Sequence, residues 1–194
     1  MMSMPKRRGY HVGNLRAQLM EEARALLEEG GLGQVSLRGL AGRAGIAAGS
    51  VYHHYASKQA LLAGLAANGF GELEVALQSA AEAAQPTPIR ASALAYFDFA
   101  RGQPALYALM FAPTMQSETE VQAARTKAFA VLESAIAAAA SQADRDTETI
   151  HRISLAVWAC GHGAASMTLA DNVEDQGLLM EQVIQGLEAL FRRR

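Results

Sequence analysis

The sequence predicts an all-α fold of about nine helices, with an N-terminal three-helix helix-turn-helix unit fused to a larger helical body. Three observations carry this. Of the 194 residues 51% are apolar and only 6% aromatic, with alanine, leucine and helix-favouring charged residues dominant. Apolar positions recur three and four apart, and no stretch alternates with period two over a useful length. Gly, Pro and Ser stand where helices should stop and start.

From Gly13 to Glu29, Leu15, Leu19, Ala23, Leu26 and Leu27 share one helical face, and Gly30-Gly31 ends the run. Ser36 is a good N-cap for a short second helix, "LRGLAGRA", and Gly45 suits the left-handed position that closes it. A third helix begins about three residues later and ends near Tyr55. Ser57 caps a fourth, which turns Leu61, Leu62, Leu65, Leu73 and Leu77 inward, with Gly69 and Gly71 as weak points. Pro86 and Pro88 interrupt the pattern, and Pro88 opens a fifth helix running toward Arg101. Pro104 starts the short apolar segment "ALYALMFA", which Pro113 stops. Long helices follow over Ser117 to Ala140, Asp146 to Ala170 and Asp175 to Arg192.

Charge is divided unevenly along the chain. Residues 1 to 60 carry eight Lys/Arg against four Glu, or +4, while the remainder carries nine against fifteen, or −6. A basic head on an acidic body suggests that the head meets a polyanion. The single cysteine, Cys160, forms no internal disulfide, which fits a reducing cytoplasm. The basic N-terminus is followed by no apolar stretch of signal-peptide type, and the longest aliphatic run, Ala135 to Ala140, is too short to span a bilayer. No membrane association is expected.

Two short helices joined by a tight glycine turn and packed on a longer one make a helix-turn-helix, whose second short helix can enter a DNA major groove. Leu37, Leu40, Ala41, Ile46 and Val51 have the sizes of its inner positions. That leaves Ala48, Gly49, Ser50, Tyr52 and His53 outward: small residues allow close backbone approach, and Tyr and His can donate to phosphates or touch base edges. Lys58 adds a positive charge at a helix N-terminus, and both favour a phosphate. Lys6, Arg7 and Arg8 can follow the backbone or reach the minor groove.

"SLRGLAGRAGIAAGSVYHHYASKQALL", Ser36 to Leu62, resembles the signature of the TetR family of transcriptional repressors along its whole length. The resemblance implies that Ser36 and Arg38 contact phosphate or groove, that Ala48, Ser50, Tyr52 and His53 face the groove, that His54 is a phosphate or scaffold residue, that Tyr55 is a core aromatic and that Lys58 meets a phosphate. In one respect the chain departs from the pattern. Ala47 stands where the family usually has a capping Ser or Thr, so that hydrogen bond is missing.

In the eighth helix His151, Leu155, Trp158, His162, Ala165 and Leu169 form one stripe, beside a smaller stripe of Val157, Gly161, Ala164 and Thr168. "FARGQPALYALMFAP" and "VWACGHGAASM" resemble a ligand-binding domain found in some TetR-like regulators and named for its Trp-His-Gly signature, here Trp158, His162 and Gly163. This resemblance implies a homodimer through the last two helices and a pocket among helices four to eight. Phe97, Phe99, Tyr107, Met110, Phe111, Met115, Trp158 and His162 are its candidate lining residues.

Enzyme chemistry finds no constellation. Cys160 and His162 point about 200° apart on a helix, and His151 and His162 lie about 16 Å apart along one, so neither a nucleophile-base pair nor a metal site forms. No catalytic residue, cofactor or metal is expected. The sequence therefore points to a helix-turn-helix domain over 1–56 and an effector-binding and dimerisation domain over 57–194. Together they would form a cytoplasmic homodimeric repressor that binds a pseudo-palindromic double-stranded operator and is released by a small apolar effector. The alternative is a helical dimeric ligand- or partner-binding module without DNA binding.

Overall fold

A computed structural model describes residues 15–84, 88–140, 146–170 and 176–191. Arg7 and Arg8, with Lys6, lie outside them. The described residues form nine α-helices and no strand: α1 (Leu15–Gly30), α2 (Leu37–Ala44), α3 (Ala48–His54), α4 (Lys58–Ala83), α5 (Pro88–Gly102), α6 (Pro104–Met110), α7 (Thr119–Ala140), α8 (Thr147–Ala170) and α9 (Gln176–Phe191), with a 3-10 turn at Pro113–Met115. Two compact units divide between Leu61 and Leu62.

In the first unit α1 packs on α2, and α2 on α3. Leu19, Ala23 and Leu27 of α1 are fully buried, as are Val35, Leu40 and Val51. Gly31, at φ 72, ends α1 in the left-handed region that only glycine enters without cost; its N–H donates to Leu27 O at 2.8 Å. Arg43 ties α2 to α1, donating to Glu29 at 2.6 and 2.7 Å and to Glu22 at 2.7 Å. The charge-assisted contacts hold the Glu29 carboxyl below its ordinary range.

The second unit is built around α8, which packs on α5, α7 and α9, while α5 also meets α6, α7 and α9. Asp146 caps α8, its Oδ1 accepting from Thr149 N–H at 2.7 Å. Helix limits fall within a few residues of those the sequence implies, as fraying ends do. α4 alone among the described helices meets the length and hydropathy of a membrane span. Uninterrupted aliphatic runs do not reveal this, because Asn68, Glu72 and Glu74 punctuate it. Of its most apolar window 56% is buried, with Leu65, Phe70, Leu73 and Leu77 in the core.

Two expectations need correction. The large-residue stripe of α8 does not stay on one buried face: Leu155 is 48% exposed while Ala165 is fully buried, because a 4-3-4-3 spacing is slightly narrower than the helical period and the stripe drifts. Gly69 is not a weak point but a close approach. A Cβ there would stand 2.7 Å from Met110 Sδ and 3.0 Å from Leu106 Cδ2, whereas one on Gly71 would meet nothing within 4 Å.

The two glycines should therefore respond oppositely to alanine. Gly71→Ala should stabilise the protein by about 0.5–1 kcal/mol through helix propensity. Gly69→Ala should lose that gain to overpacking of about 1–3 kcal/mol. Denaturant melts that moved both variants the same way would refute the close packing of α4 on α6.

Candidate nucleic-acid interface and ligand cavity

The turn between α2 and α3 is made by its sequence. Ser36 Oγ accepts from Gly39 N–H at 3.0 Å, which starts α2, and Gly45 at φ 68, ψ 31 ends it in the left-handed region. Ile46 N–H then donates to Ala41 O at 3.0 Å. α3 begins without side-chain help, since Ala47 makes no capping bond, and Ser50 N–H donates to the Ala47 carbonyl at 3.0 Å instead. Its anchors are Val51, fully buried, and Tyr55, 2% exposed. The Tyr55 hydroxyl reaches Arg16 O at 3.5 Å, and the Arg16 guanidinium lies 5.6 Å from the centre of the Tyr55 ring, a cation–π arrangement.

With Val51 and Tyr55 inward, Ala48, Gly49, Tyr52, His53 and His54 are exposed and Ser50 is half-buried. Tyr52 is 52% exposed, unusual for a residue of its size on a short helix. Of the last two residues of the Tyr-His-His-Tyr run only Tyr55 is inward, since successive helical residues point about 100° apart, and His54 stays on the exposed side. Ser36 and Arg38 are exposed on α2, and Lys58 on the first turn of α4. There Ser57 Oγ accepts from Ala60 N–H at 3.1 Å, and Lys58 Nζ donates to Leu32 O at 2.8 Å. Arg43, by contrast, is committed to two glutamates and is not a free cation of this surface.

The second unit contains an apolar cavity of about 40 Å³. Its walls include Tyr96, Phe97, Trp158, Gly161, Ile184 and Leu187. Of the eight lining residues suggested by the sequence, Phe97 and Trp158 are here. The others do not line it: Phe99, Met110 and Met115 are buried core, while Tyr107, Phe111 and His162 form a stack joined to its wall through Tyr96. Phe111 and His162 ring centres are 4.2 Å apart, those of Tyr107 and Phe111 4.8 Å.

A polar chain runs from cavity wall to stack. The Tyr96 and Tyr107 hydroxyls share a hydrogen bond of 2.9 Å, and the Tyr107 hydroxyl meets His162 Nδ1 at 2.7 Å. Burial raises the Tyr96 phenol far above its ordinary range, pushes Tyr107 up to about 12 and lowers His162. All three groups are therefore held neutral near pH 7.

Leu77, Ile89, Ala93 and the α9 residues are missing from the sequence-derived set. The α9 residues do leave a signal, since Val183, Ile184 and Leu187 share an apolar face. The contribution of Ala93 and Gly161 is absent volume, which leaves none.

Residues 19–65 match the family model described as bacterial regulatory proteins, tetR family, and residues 89–190 that described as tetracyclin repressor-like, C-terminal domain. Over 51 residues the chain is 43% identical to the HTH-type transcriptional repressor KstR2 of Mycobacterium tuberculosis, a match spanning 26% of this chain and 26% of that repressor's length. Among solved structures it resembles a protein of unknown function from Rhodococcus sp. RHA1, with TM-score 0.78 and 31% identity over 95% of this chain and 96% of that one. It also shares the fold of FadR from Bacillus subtilis, solved in complex with stearoyl-CoA, with TM-score 0.69 and 15% identity over 88% and 96% of the two chains. With a helix-turn-helix unit and a helical body each matched by its own model, the chain belongs to the TetR family of bacterial transcriptional regulators and carries its DNA-binding domain.

Proposed function

We propose that this regulator is a homodimeric repressor that leaves its operator when a small apolar effector enters the body. The observation that carries the reading is the exposed face of α3, where Tyr52 and His53 project from a helix whose opposite face is buried. Two copies of α3 would address successive major grooves of a pseudo-palindromic duplex, about one helical turn apart. Ala48, Gly49 and Ser50 let the backbone approach the groove, and Tyr52 and His53 touch bases or phosphates. Ser36, Arg38, His54 and Lys58 hold the phosphate backbone, with Arg7 and Arg8 as a basic arm. The exposed Lys58 ammonium exchanges a carbonyl for a phosphate without desolvation, at a helix start that itself favours anions. The protein works in the cytoplasm and needs no cofactor, metal or catalytic group.

Dimerisation is assigned to α8 and α9. Leu155, Ala159, Gly163 and Met167, each four residues from the next, are exposed along α8, and Leu178 is exposed on α9. An apolar stripe with small residues at its centre suits close approach of the same two helices from a second copy.

Tyr52→Ala should weaken operator binding by roughly 1–3 kcal/mol, and Lys58→Ala should reduce the salt dependence of binding by about one unit of slope. Gel shifts with DNA flanking the gene, run across a salt series, measure both; no retarded band even at low salt would favour a ligand- or partner-binding module without DNA binding. Gly163→Arg should leave the fold intact, since nothing lies within 4 Å of a Cβ there, while yielding a monomer. Loss of two-site binding should then cost about 10²–10⁴ in operator affinity. A dimeric mass for that variant in sedimentation would remove α8 from the interface.

A further inference from the structure

The cavity's walls restrict the charge of what it can hold, and two of them are fastened together by an exposed ion cluster. No ionisable side chain other than Tyr96 lines it, and its hydroxyls are already engaged: Ser92 Oγ donates to Leu77 O at 3.4 Å, and the Tyr96 hydroxyl is paired with Tyr107. Among the described residues no buried side-chain nitrogen or oxygen lacks a partner. A carboxylate or phosphate entering would lose its hydration and find no counter-charge, a large penalty in an apolar site. A neutral hydrocarbon surface would lose nothing of the kind and gain by leaving water.

At about 40 Å³ the space between the walls has room for only a few waters, so a larger occupant buried wholly between them requires a wall to move. α5 and α9 supply opposing walls through Ile89 and Ala93 on one side and Ile184 and Leu187 on the other. Arg90, the neighbour of Ile89, spans that seam. It grips Glu181 with two bonds of 2.6 and 2.7 Å and Glu188 with one of 3.1 Å. The two glutamates lie seven residues apart on α9 with Ile184, 3% exposed, between them, so the clamp brackets the cavity wall. Its members are about one-third exposed, at 33% and 38%. Such a clamp is screened by salt and opens without stranding a buried charge.

We infer that this cavity binds an uncharged apolar molecule, admitted where α5 and α9 part at the Arg90–Glu181–Glu188 clamp. The inference rests on the reading of the body as an effector-binding unit and names the class of effector. Gly161 forms the α8 side of the site, and a Cβ built on it meets nothing within 4 Å; a side chain there would occupy the ligand's space.

Trp158 is the chain's only tryptophan and lines the cavity, so its fluorescence reports occupancy directly. 1-Octanol should change Trp158 emission saturably and raise the melting temperature, while octanoate at neutral pH should bind at least about tenfold more weakly. Gly161→Leu should abolish the octanol response without lowering the melting temperature. Arg90→Ala should speed octanol association several-fold in stopped flow, and added salt should do the same to the unaltered protein. Equal binding of octanoate, or an undiminished octanol response in Gly161→Leu, would overturn the assignment of the site. An unchanged association rate in Arg90→Ala would overturn the route. Octanol that fails to bind a protein still retarding its operator defeats this inference alone; octanol bound as expected by a protein that retards no operator defeats the regulator reading alone.

Discussion

A seven-residue helix without an N-capping side chain is marginal in water, because helix nucleation fixes several residues for each hydrogen bond gained. α3 is such a helix, and it persists because Val51 and Tyr55 are fixed in the interior of its unit. That single constraint sets the interface. The two anchors lie four residues apart, about one helical turn, and the residues left outside are those at 48, 49, 52, 53 and 54. The left-handed Gly45 turn aims the anchors, and the Arg43 bonds to Glu22 and Glu29 hold α2 against α1 so that the turn has a firm base. The same bonds leave the head's formal excess of positive charge unchanged, since Glu22 and Glu29 are already counted in it, but they occupy Arg43. What remains for a polyanion is carried by exposed groups such as Arg38 and Lys58.

The body solves a different problem, that of placing polar groups among aromatics. Tyr96, Tyr107 and His162 come from three helices and meet only because each hydroxyl or ring nitrogen satisfies the next. In apolar surroundings an unsatisfied member would cost more than the bond itself contributes, so the chain orders α5, α6 and α8 relative to one another. Tyr96 also turns an edge toward Trp158, with ring centres 5.4 Å apart, and Phe129 does so from α7 at 5.6 Å. The Tyr96 and Trp158 walls of the cavity are thus held by these contacts, while an exposed ion cluster ties α5 to α9.

Helices were legible because their ends carry chemistry. Ser36, Gly45, Ser57, Pro88 and Pro104 each satisfy or forbid a backbone bond at a fixed place, and a single sequence records that. The outward face of α3 was legible for the same reason, once Val51 and Tyr55 were recognised as the anchored pair. Packing between helices was much less so. Gly69 reads as a weak point until Met110 and Leu106 are seen to fill its space. The aromatic residues that drew attention in the body mostly pack against one another, whereas the cavity arises where Ala93 and Gly161 leave a gap between helices remote in sequence. A missing atom produces no pattern, and the helices bordering it are known only after folding. Leu155 illustrates a related limit: a stripe of seven-residue period marks one helix face, but not whether the chain itself or a second copy covers that face.

For an effector to move a regulator off DNA it must bind two conformations unequally, and affinity alone achieves nothing. The cavity has that inequality built in. At about 40 Å³ the space between its walls encloses no more than a few heavy atoms, so on the inferred route a larger effector buried there would bind a conformation in which α5 and α9 stand further apart. The Arg90 clamp favours the narrow form, yet its partial exposure keeps its contribution small, so the wide form is reachable. Under the effector reading, operator DNA and ligand then compete through the position of these two helices. Linkage requires the competition to be mutual, the operator weakening the ligand by the factor with which the ligand weakens the operator. On the same reading, loosening the clamp would shift that balance toward the wide form even without a ligand, and the seam between α5 and α9 would then tune the set point of the response.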